Sequence, residues 1–155
     1  MLTLDRFKYE TVWNDFYNKF CFRPSVDAFP GIEEPHDSIT FRLADEYDEA
    51  MLDELKSSIL SSLKICNAFT EEVYFLDWQH ESFQLFESKI EEIWVNGFPN
   101  GDYAIFLANQ MCMGTFGHPW ENSICLFGRH FVQEVLNNKP RILDSVIRNR
   151  GCYLI

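Results

Sequence analysis

The sequence predicts an α+β fold, an antiparallel sheet with helices packed on it, built as a single-domain sandwich over residues 1–155. Three observations carry that reading. A chain of 155 residues with 46% apolar and 16% aromatic side chains can bury one core without metal or disulfide staples. Two stretches place apolar residues at the helical period, and several others are short apolar runs bounded by turn residues. The runs of the second half are joined by short connections, which force antiparallel neighbours because a parallel pair needs a long crossover.

Each element follows from its own pattern. Tyr9, Val12, Trp13, Phe16, Tyr17 and Phe20 recur at spacings of three and four, one aromatic face of a helix over residues 6–20. The three prolines and one glycine of "FRPSVDAFPGIEEP" mark an extended loop. In "DSITFRL", Ile39, Phe41 and Leu43 alternate with polar neighbours, a half-buried strand. "DEYDEAMLDELKSSILSSLKI" is the clearest helix: Met51, Leu52, Leu55, Ile59, Leu60 and Leu63 keep the period, and acidic residues crowd its positive end. "EEVYFLDW" and "ESFQLF" read as two strands around Gln79 and His80, and "FPNGDYAIFLA" as an Asn-Gly turn feeding a strand. "NSICLFG" is a strand too apolar for a solvated sheet edge. "RHFVQEVL" then makes a helix face from Phe131, Val132, Val135 and Leu136. Pro140 opens "PRILDSVIRN" as a short helix, since proline suits the first turn.

Charge is uneven along the chain. Of the net −11, residues 31–60 hold nine acidic side chains against two basic, whereas the chain beyond residue 100 is slightly basic. Such a surface repels phosphate backbones and anionic membranes, so no nucleic acid and no membrane is expected as a partner. It attracts a basic protein. The start "MLTLDRFKYE" lacks the basic-then-apolar pattern of a targeting signal. The five cysteines are scattered without a C-x-x-C pair, and Cys66, Cys112 and Cys125 sit among apolar residues, which predicts buried, reduced thiols in a cytoplasmic protein.

The stretch "MGTFGHPWEN" concentrates two glycines, a His-Pro pair, a tryptophan and a carboxylate. Gly114 and Gly117 permit backbone angles or close approaches that side chains forbid, and Pro119 holds His118 extended. A bulged corner between two strands accounts for most of these residues. The chemical alternative places His118 and Glu121 beside His80 and Asp77, which converge if the "LDWQH" strand lies next to "GHPWE". Imidazole and carboxylate together suit acid–base catalysis or a divalent metal. Yet no H-E-x-x-H, nucleophile elbow, phosphate-cradling or dinucleotide motif is present. No catalytic residue, metal ligand or cofactor is therefore assigned. His36 reads as a solvated loop residue and His130 as a capping or exposed one.

"FPGIEEP", "LDWQH", "PNGDYAIFL" and "GTFGHPWENSICLFG", led by "VWNDFYNKFCFRPS", resemble the signature blocks of an uncharacterised bacterial family, domain of unknown function 2716. The resemblance spans nearly the whole chain. It departs at Trp94–Gly97, "WVNG", where the family carries a proline-rich segment. It implies a bacterial source and supplies no catalytic residues. Small acidic bacterial proteins of this kind are often immunity proteins, which cover a toxin's active site. The expectation is a non-enzymatic, protein-binding domain whose sector Glu33, Glu34, Asp45, Glu46, Asp48 and Glu49 engages a basic protein such as a toxin, with Tyr47 and Phe29 at its edge. The alternative is a hydrolase or metal-dependent enzyme using His80, His118, Asp77 and Glu121.

Overall fold

The computed structural model describes all 155 residues and has one eight-stranded, wholly antiparallel sheet with helices on both faces. In chain order the elements are β1 (Leu2–Thr3), α1 (Arg6–Phe20), β2 (Ile39–Leu43), α2 (Glu49–Ile65), β3 (Val73–Asp77), β4 (Phe83–Leu85), β5 (Ala104–Ala108), β6 (Met113–His118), β7 (Ser123–Phe127), α3 (Arg129–Asn137) and β8 (Leu143–Asn149). The strands lie side by side as β1-β4-β3-β5-β6-β7-β2-β8. The α+β expectation holds. No helix is long and apolar enough to cross a membrane.

The period of two along each strand divides the core. Phe41, Val73, Phe75, Phe106, Ile124 and Leu126 face one side, where Leu55, Ile59 and Leu63 of α2 and Phe131, Val132 and Val135 of α3 cover them. Tyr74, Leu76, Ile105, Leu107, Phe116 and Phe127 face the other, under Val12, Trp13, Phe16 and Phe20 of α1. A sheet covered on both faces explains why "AIFLA" and "SICLF" are continuously apolar rather than alternating. The helix ends obey local chemistry. Asp5 and Asp48 cap α1 and α2 by accepting the backbone N–H groups of Lys8 and Met51 at 2.8 and 2.9 Å.

Two expectations are corrected. Residues 143–149 form a strand, not a helix. Pro140 accepts from the N–H of Leu143 in a turn, and the open edge of β2 then recruits the following residues into antiparallel pairing. β-branched Val146 and Ile147 suit that setting better than a helix. The second correction concerns "MGTFGH", which is an interior strand between β5 and β7 rather than a corner. Its glycines serve close packing: a side chain at Gly117 would crowd the Gly97 carbonyl and Pro99. The corner lies one step later, where Pro119 ends the ladder. Among the thiols Cys125 is buried, but Cys112 is exposed and Cys66 half-buried, because the turn after β5 carries Cys112 outward.

Candidate functional site

Three groups of polar residues stand out once the sheet is in place. The first is the start of α2. Asp45, Glu46, Asp48 and Glu49 are exposed there, as are Tyr47 and, further along, Asp53. Asp48 caps the helix and Asp45 reaches Arg42 at 3.2 Å, while Glu46, Glu49 and Asp53 form no ion pair and no side-chain hydrogen bond. The Tyr47 ring rests on Phe98 with centroids 4.6 Å apart.

Glu33 and Glu34 belong to different surroundings. They line a depression with Lys19, Arg148 and Arg150, where positive charge balances them. Glu33 is exposed, but Glu34 is buried and takes two hydrogen bonds from Arg148, at 2.6 and 3.1 Å, and one from Thr40 at 2.5 Å. Arg148 also grips Glu121, at 2.7 and 2.9 Å, and Ser123 donates to the same carboxylate at 2.6 Å. One guanidinium thus ties the loop before β2 and the β6–β7 turn to the sheet edge. Burial acts to raise the Glu121 pKa, but the donors from Arg148 and Ser123 outweigh it and hold the carboxylate below its ordinary range.

His118 closes that group from the inside. It is 1% exposed and boxed by the rings of Phe29, Tyr103, Phe116 and Trp120. Its Nδ1 accepts the Glu121 N–H at 3.2 Å, which puts the proton on Nε2, where no acceptor stands. Burial, the largest influence, lowers its pKa. The native state is therefore favoured while the ring is neutral. That contribution is complete above the ordinary value of 6.5 and is lost as pH falls through the folded value. Replacement by asparagine, whose Oδ1 takes the place of Nδ1, should remove it. Thermal melts from pH 7 to 5 are expected to show the wild type losing stability relative to His118→Asn as the pH is lowered. Parallel curves would mean that His118 does not titrate on unfolding.

The third group gathers at the end of β3. Asp77 closes that strand, His80 follows in the turn to β4, and Asp102 precedes β5. The His80 Nδ1 lies 2.9 Å from Asp77 Oδ1 and 3.5 Å from Asp102 Oδ2. Asp102 is nearly buried, and its two oxygens accept the N–H groups of Tyr103 and Gln79 at 2.8 and 2.7 Å. Burial first, and the adjoining Asp77 carboxyl second, push its pKa up to about 6, while Asp77 raises that of His80. These three residues could hold a proton or a cation between them.

The structure does not bring the four His and carboxylate candidates together. β5 separates β3 from β6, so the "LDWQH" strand does not lie beside "GHPWE". Register adds a second barrier. Asp77 pairs with Ala104 and Ala104 with Gly117, so Asp77 and His118 leave the sheet on opposite faces. Sequence reasoning missed Asp102 and Arg148. An acidic residue between an Asn-Gly turn and an apolar strand was a usable signal for the first; Arg148, 114 positions from Glu34, offered none.

Comparison with known proteins agrees with the signature blocks. No solved structure is similar to the chain. A 99-residue stretch is 32% identical to the Uncharacterized protein YxiI of Bacillus subtilis (strain 168), and the match spans 60% of each of the two chains. The model of the family described as "Protein of unknown function (DUF2716)" matches residues 3–132, and the chain belongs to that family.

Proposed function

We propose that the protein is a binding domain whose negative face, at the start of α2, engages a basic protein partner, the chemistry a toxin would offer an immunity protein. The supporting observation is the set of exposed carboxylates that form no ion pair, Glu46, Glu49 and Asp53, reinforced by Asp45 and Asp48. Exposed Tyr47, already seated on Phe98, supplies an aromatic surface for a partner to cover. Glu33 and Glu34 contribute less, because basic residues surround them. Complementary charge raises encounter rates by roughly ten- to a thousandfold at low salt. An enzyme using His80, His118, Asp77 and Glu121 has weaker support, since those residues divide between two faces of the sheet.

The test is a titration against basic proteins encoded beside the gene, repeated with Glu46→Lys and Glu49→Lys combined. Association is expected to slow by about tenfold or more at low salt, with the difference shrinking as salt is added. A partner whose affinity and salt dependence ignore both changes would leave the face merely solvated.

A further inference from the structure

We propose that Asp77, His80 and Asp102 bind one divalent metal ion at the open end of the β3–β5 pair. The donor set is one imidazole and two carboxylates, a combination used for zinc, manganese and iron. Their donor atoms all lie within 4.8 Å of one another. Donors at the corners of a tetrahedron with bonds of about 2.0–2.2 Å stand roughly 3.3–3.6 Å apart. The observed 2.9 and 3.5 Å separations from His80 Nδ1 therefore need only small adjustments.

Two of the three ligands are already fixed. Asp77 is held in the β3–β5 ladder, and the Asp102 side chain, 8% exposed, is oriented by backbone N–H groups at both oxygens. The Gln79 N–H also reaches Asp77 at 3.2 Å, so a single amide orients both carboxylates, as outer-layer partners of metal ligands commonly do. His80 is the adjustable member, exposed on a turn. Two carboxylates brought this close repel one another unless positive charge sits with them. Beside the two carboxylates opens a cleft of about 260 Å³, which His80 does not line, bounded also by Trp94, Asn96, Phe98 and Asn100, with space for water or a small ligand next to Asp77 and Asp102. The competing account is a protonated His80 bridging the two carboxylates, which needs no metal and does not use the cleft.

Mn²⁺ is the suitable probe, because the exposed thiols of Cys21, Cys112 and Cys152 would compete for Zn²⁺. Loss of the free-ion electron paramagnetic resonance signal counts the ions bound to metal-free protein at pH 7.5. One ion per chain is expected, with affinity at least tenfold weaker in Asp102→Asn and in His80→Ala. Circular dichroism confirms that each variant is folded; if Asp102→Asn is not, His80→Ala decides alone, since its side chain is exposed. Binding that both variants retain would be attraction to the acidic surface and would overturn the proposal. So would the absence of binding at millimolar Mn²⁺.

Discussion

Replacing Arg148 with alanine is expected to destabilise the protein by about 3–5 kcal/mol, the range for breaking a buried ion pair from one side. The size follows from what remains. Glu34 and Glu121, 4% and 12% exposed in their side chains, would face each other with no cation between them. Thr40 and Ser123 would still donate to one oxygen of each, too little to replace the four charged contacts of the guanidinium. Urea denaturation at pH 7 measures the loss. Arg148→Met combined with Glu34→Gln and Glu121→Gln removes all three charges and should recover most of it, because the penalty comes from unpaired charge rather than from missing attraction. Acidity supplies a second signature. The Glu121 pKa is lowered in the native protein, so its contribution is present above the ordinary value of 4.5 and is lost as pH falls through the folded value. In Arg148→Ala that contribution is already gone. The gap between the two proteins should narrow towards pH 4, and a gap that stays constant would show that the network carries no net charge stabilisation.

This network also marks the boundary of what local sequence can reveal. Periodicity found all three helices, because a helix buries one stripe and its pattern is contained in fifteen or so residues. It found β2, β3, β4, β5 and β7, each an apolar run between turn signals. It failed at β6 because a glycine permitting a turn and a glycine permitting close strand packing look the same in a sequence. It failed at β8 because proline followed by apolar residues fits a helix start equally well, and the deciding influence, the unpaired edge of β2, lies about a hundred residues earlier. The polar clusters divide in the same way. Asp77 and His80 are three positions apart and legible as a pair. Asp102 joins them only through the β3–β5 register. Glu34 looked like one more surface carboxylate in an acidic run until its distant cation was known.

Gly114 offers the sharpest test of the β6 assignment. Its φ of +154° is one that side chains rarely adopt, and a Cβ built there would lie 1.9 Å from the carbonyl oxygen of Phe106 and 2.9 Å from its carbon. Both are backbone atoms of the neighbouring strand, so no rotamer change relieves the overlap. Relief requires prising apart β5 and β6 at the centre of the sheet, where Phe106 and Phe116 anchor cores on opposite faces. Gly114→Ala is therefore expected to cost about 3 kcal/mol or more, the upper range for overpacking, and to lower the melting temperature by roughly 6–12 °C. Gly101 is the control. It too has a positive φ, +74°, but a Cβ there meets nothing within 4 Å, so Gly101→Ala should cost only about 1–2 kcal/mol from the backbone conformation. If Gly114 were a turn glycine, as the sequence suggests, the two substitutions would cost the same. A clearly larger loss at Gly114 is the result that only an interior strand, pressed against its neighbour's backbone, explains.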